Sequence, residues 1–142
     1  MYKIEKREYG LHLTFGDFVS ATEMRRWLQE SFEFLPEQPH SFSVFVDMRT
    51  LAPLDPDVQA IIRDGQRLYK QRGMVRSVVI LNSPVVTMQF KRIAHQSGIY
   101  EWERYIDASS TSDWDKQGMA WILDAVDPDK RSSLVGEEPA QR

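Results

Sequence analysis

Phe42-Ser-Val-Phe-Val46-Asp47, then Asp55-Pro56-Asp57 opening a helical stretch that closes at Gly73, then Val78-Val-Ile-Leu81: this one run decides the fold. Apolar residues fill both ends almost without a break. Between them Val58, Ile61, Ile62, Gly65 and Leu68 recur at helical spacing. Asp55 stands where an N-cap stands, Pro56 at the first helical position where a missing N–H costs nothing, and Gly73 where a helix is capped at its C-terminus. Strand, capped helix, strand is a βαβ unit, and strands joined over a helix run parallel. The class is α/β, and no chemistry follows from it.

Outward from this unit the same grammar repeats. Before it, Tyr2 and Ile4 share a face, and after a turn at Tyr9-Gly10 so do Leu11, Leu13 and Phe15, which predicts an N-terminal hairpin with one side on the core. His12, between Leu11 and Leu13, is expected to face solvent. Ser20 with Glu23 forms a capping box for a first helix, whose stripe is Met24, Trp27, Leu28, Phe32 and Leu35 and whose end is Pro36. After the unit, Ser83-Pro84 opens a third helix packed through Val86, Phe90, Ile93 and Ala94 and closed by Gly98. A last strand follows around Arg104-Tyr-Ile106. Ser112 is the expected cap of a fourth helix with Trp114, Met119, Ile122, Leu123 and Val126 on its apolar side.

The expected architecture is a single α/β domain over residues 1–126: a hairpin followed by βα units, with a mixed, mostly parallel sheet of about five strands and about four helices. Asp127-Pro128 begins a change of composition, and residues 127–142 are expected to form a disordered tail. A chain of 142 residues buries roughly 68–70% of its unfolded surface, enough for a core without staples. Hydrophobic residues make up 42% and charged residues 27%, which is ordinary for a globular protein, and a net charge of −3 offers no field for nucleic acid. The absence of cysteine excludes disulfides, thiolate nucleophiles and zinc–thiolate sites. No apolar run reaches the ~18 residues of a membrane span, and Met1-Tyr-Lys-Ile-Glu-Lys lacks a signal-peptide core, so a cytoplasmic protein is expected.

Candidate motifs are sparse. No Gly-rich phosphate loop, HExxH, EF-hand loop or nucleophile elbow occurs. Asp55 and Asp57 at the start of the second helix already satisfy its dipole and would repel a phosphate. The acid-free turn Asn82-Ser83-Pro84 reads as an N-cap, with an anion site as the alternative. Asp47, Asp55 and Asp57 lie near strand ends but have no histidine with them, a poor metal set. No cofactor or metal is expected. Nor is a catalytic residue, since three scattered histidines and no cysteine assemble no nucleophile–base set. Arg63, Arg67, Lys70, Arg72 and Arg76 form a basic run that is a solvated face or a docking patch. Tyr100, Trp102 and Tyr105, with Trp114 and Trp121 beyond, are core, an apolar pocket or a dimer patch.

The order hairpin, helix, three βα units over residues 2–126 resembles the STAS domains, the anti-sigma-factor-antagonist fold. In that family a central strand like Phe42–Asp47 is followed by a loop and an Asp-Ser-Ser-Gly-like helix start, here Leu54-Asp55-Pro56-Asp57; Gln59–Gly73 and Val78–Pro84 continue the pattern. The family's phosphorylatable serine aligns with Pro56, which cannot be phosphorylated, so kinase-controlled partner switching does not carry over. The chain looks more like the divergent STAS-like branch compared with CRAL-TRIO lipid-transfer domains, which implies a hydrophobic ligand. Two functions follow as expectations. One is a non-enzymatic regulatory or interaction module, meeting a protein partner or its own dimer through Asp55, Asp57, Arg63, Arg67 and Lys70. The other is a carrier or sensor of an apolar molecule held by Phe90, Tyr100, Trp102 and Trp121.

Overall fold

The computed structural model describes residues 1–130. Its strands are β1 (Tyr2–Arg7), β2 (Gly10–Phe15), β3 (Phe42–Asp47), β4 (Met74–Leu81) and β5 (Glu103–Asp107). Its long helices are α1 (Ala21–Phe34), α2 (Pro56–Gln71), α3 (Pro84–Ser97) and α4 (Trp114–Asp124). Short 3-10 turns at Leu35–Glu37 and Ile99–Glu101 follow α1 and α3. The five strands lie in chain order in one sheet, β1 antiparallel to β2 and every later pair parallel. The expected mixed, mostly parallel α/β architecture is the one observed.

Strand order equal to chain order has a strong consequence. Each crossover from β2 to β5 steps the same way, and right-handed crossovers then place α1, α2 and α3 on one face of the sheet. The burial agrees. Leu11, Leu13, Phe15, Val44, Val46, Val79, Leu81 and Tyr105 pack with Met24, Trp27, Val58, Ile62, Tyr69 and Ala94 in one cluster. The alternate residues Phe45, Val78, Ile80 and Ile106 pack with Trp121 and Ile122 of α4 on the other. Because the sheet never reverses its winding, it has no switch point of the kind that opens a crevice at the strand ends of doubly wound folds.

Local chemistry places the elements. Ser20 Oγ accepts from Glu23 N at 3.1 Å and Ser83 Oγ from Val86 N at 3.2 Å, so both serines cap as expected. Asp55 sits at the N-cap of α2 but its side chain makes no cap hydrogen bond. The cap of α4 is Asp113 rather than Ser112. Gly73 follows α2 at φ 111°, and a Cβ there would meet the His40 carbonyl at 2.1 Å, so both backbone angle and space demand glycine.

The stripes of α1 and α4 are shifted from their expected positions, and that of α2 is as expected with one residue added. Phe32 is 46% exposed, and its place against α2 is taken by Ser31, whose hydroxyl donates to Trp27 O at 2.8 Å and meets the Tyr69 hydroxyl at 2.7 Å. On α2 the fully buried aromatic is Tyr69, one residue beyond Leu68. On α4 Leu123 is exposed, as is Val126, which lies past the end of the helix, while Gly118, Trp121 and Ile122 face the sheet. His12 does not face solvent freely: its ring stacks on Phe45 at 5.3 Å on the α4 side, and that burial, with Arg7 nearby, lowers its pKa. The first residues assigned to the tail are held in place, since Asp127 takes Arg104 Nε at 2.9 Å and Asp129 takes Lys91 Nζ at 2.9 Å. The rest of the expected tail, 131–142, lies outside the described residues.

Candidate functional site

On the three-helix face, α1 packs along α2 but α2 and α3 barely touch. Neighbouring helices on a parallel sheet ordinarily close over it. Here the gap leaves a crevice of about 170 Å³. Ile62, Phe90, Ala94 and Ile99 form its walls and Tyr105 of β5 its floor. The Phe90 ring meets the Tyr105 ring edge-on at 5.7 Å, which fixes the inner wall. Toward the carboxyl ends of β3 and β4 the crevice runs beside a larger hollow of about 350 Å³, bordered by Met48, Leu51, Asn82 and Ser83; Leu54, Gln59, Gln89 and Phe90 line both.

Beside the floor, on the same face of β5, lies a polar cluster that sequence reasoning missed. Glu103 is 2% exposed. One carboxylate oxygen accepts from Ser77 Oγ at 2.6 Å, the other from Gln66 Nε2 at 2.6 Å and from the Tyr105 hydroxyl. Burial pushes its carboxyl above the usual range, against the pull of the two hydroxyl hydrogen bonds. The Tyr105 phenol is raised as well, first by burial and then by the adjacent carboxylate. No cation among the described residues pairs with this acid, so three neutral donors hold it. The signals were present in the chain. Glu103 is two residues before Tyr105 and therefore on its face of the strand, and Gln66 is four after Ile62 on the inward stripe of α2.

The other predicted positions divide. Of the aromatic set, Phe90 alone lines the crevice. Tyr100 stacks on His95 at 3.8 Å, lies under the Arg104 guanidinium, and donates its hydroxyl to Asp129. Trp102 is half-buried beneath Lys70 Nζ, 5.3 Å from its ring centre. Trp121 is across the sheet, donating Nε1 to Ser77 O at 2.9 Å and lying under Arg104. The four thus line no common cavity, because α4 covers the opposite face from α3. Of the α2 set, Asp55, Asp57, Arg67 and Lys70 are exposed and Arg63 borders the crevice. Arg76 leaves the basic run altogether: it donates to the carbonyls of Trp121 at 2.8 Å and Ile122 at 3.1 Å, closing the end of α4. Asp47 is engaged by Arg49, whose hydrogen bonds outweigh the effect of burial and hold its pKa low. No three acidic or histidine side chains converge on a cation position among the described residues.

No family model matches the chain, and no curated protein matches it. No helix among the described residues is long and apolar enough to cross a membrane.

Proposed function

We propose that this chain is a non-enzymatic binding module that holds a small apolar molecule in the crevice between α2 and α3, as a carrier or sensor. The observation that carries the reading is the separation of two helices that lie on neighbouring crossovers, which leaves Ile62, Phe90 and Ile99 around an unfilled volume of about 170 Å³. Clefts with apolar walls and a few fixed polar groups are the usual places for small ligands. The histidines support a non-catalytic role, since His12 is stacked on Phe45, His95 on Tyr100, and His40 is exposed. A cytoplasmic setting belongs to the same reading and rests on the cysteine-free composition. Native mass spectrometry of gently purified protein tests it: a retained small molecule is expected, released by mild organic solvent. A bare mass, together with no binding of short apolar compounds, would sink the idea.

A second reading is a STAS-like regulatory module that meets a protein partner or a second copy without the phosphorylatable serine. It is favoured by the exposed charges of Asp57, Arg67 and Lys70 on α2 and by Val85 and Met88 on α3, which are 65% and 71% exposed. Here Asp57→Lys together with Arg67→Glu should abolish capture of that partner. If both charge reversals leave it intact, the surface is wrongly assigned.

A further inference from the structure

The crevice has a charge pattern that specifies more than apolarity. Its lining includes Arg63 from α2 and Arg92 from α3, with Gln59, Gln66 and Gln89, and contains no aspartate or glutamate. This occurs in a chain with 21 acidic and 18 basic residues, where an acid-free pair of arginines is against the average. Neither arginine makes an ion pair among the described residues. Of the other arginines, Arg49 engages Asp47, Arg104 engages Asp127 and Arg76 closes the end of α4, while Arg25, Arg26, Arg67 and Arg72, unpaired among the described residues, stand exposed in water. Arg63 is half-buried at the rim. A guanidinium partly withdrawn from water is matched best by an anionic, bidentate acceptor.

The floor sets the polarity of the site. Gln66 and Tyr105, which line the crevice, already donate to the buried Glu103 carboxylate. An anion at the inner end would be buried in a low-dielectric setting whose donors are already taken and where no cation pairs it, which disfavours it. The inner end therefore suits an apolar terminus against Ile62, Phe90 and Ile99, and the anionic group belongs at the mouth.

Building on the crevice reading above, we propose that the ligand is a small anionic amphiphile, an apolar chain or ring inside the crevice with a carboxylate or phosphate monoester clasped by Arg63 and Arg92. The two headgroups share the same chemistry of recognition, and the test separates them. Octanoate, octyl phosphate and 1-octanol are titrated calorimetrically into the protein, its Arg63→Gln/Arg92→Gln variant, and an Arg25→Gln control. The control substitutes an exposed arginine on α1 outside the crevice lining. At least one anionic probe is expected to bind roughly tenfold or more tightly than octanol, the gap expected of charge-assisted hydrogen bonds. Whichever anion binds more tightly names the head. In the double variant that gap should close while octanol binding persists, and the Arg25 variant should behave as the parent. Equal binding of octanol and both anions to the parent overturns the headgroup assignment and leaves the crevice standing. An anion preference that survives loss of both arginines overturns it too. Failure of all three probes to bind overturns the crevice reading and this inference with it.

Discussion

At the scale of single residues, Glu103 is the most consequential side chain. Its folded-state pKa is raised by burial. Between the ordinary glutamate value and the raised one, the unfolded chain is ionised while the folded chain holds a proton. Stability is therefore lost as pH rises through that window, at a slope of about 1.4 kcal/mol per pH unit. Glu103→Gln removes the titration and keeps a side chain of nearly the same shape, while the hydroxyls of Ser77 and Tyr105 can rotate to meet an amide. The variant should be more stable than the parent at neutral pH, with the difference shrinking toward pH 4, as chemical denaturation at a series of pH values would record. A parent that loses no relative stability on raising the pH would show Glu103 to be ionised throughout at no cost. Gly65 provides a second case. Helix propensity alone favours alanine there by about 1 kcal/mol, but a Cβ would meet the Trp27 ring at 2.2 Å. Trp27 is itself wedged between Phe15 and Tyr69, with ring centres 5.2 and 5.6 Å away. Overpacking should win, and Gly65→Ala is expected to destabilise by about 1–3 kcal/mol.

The elements show what could and could not be read from the chain. The βαβ core around Val44 and Val79 was legible because continuous apolar runs, a proline-led helix start and a terminal glycine are local signals. The faces of α1, α2 and α3 follow from crossover handedness, which needs only strand order. The face of α4 does not follow, since no strand comes after it to fix a crossover. Trp121 was accordingly grouped with Phe90 although the sheet separates them. The crevice was illegible for a different reason: helical periodicity gives the buried stripe of each helix but not the distance between two helices. Caps can be compared directly. Ser20 and Ser83 accept a backbone N–H while Asp55 accepts none. Ser20→Ala and Ser83→Ala should each cost about 1 kcal/mol, and Asp55→Ala distinctly less; urea midpoints of the three variants decide it. Arg76→Ala should free the last carbonyls of α4 and speed hydrogen exchange in the final turn of that helix, with little change in α2.

For the whole molecule, the gap between α2 and α3 makes a prediction about ligand and stability together. A ligand that binds only the folded chain at one hundred times its Kd stabilises by about 2.7 kcal/mol. Protection from exchange should rise along α2 and α3, which border the crevice, and stay level in α4, which is across the sheet. Uniform protection would argue for a site elsewhere. The nearest-neighbour sheet has one further consequence, for the chain as it leaves the ribosome. Each strand docks beside the one made just before it, and α1, α2 and α3 cover one face as they appear. Phe45, Val78, Ile80 and Ile106 must wait on the other side for α4, which is synthesised after all five strands. Until then the nascent chain carries an uncovered apolar sheet face, the surface on which a chaperone would act.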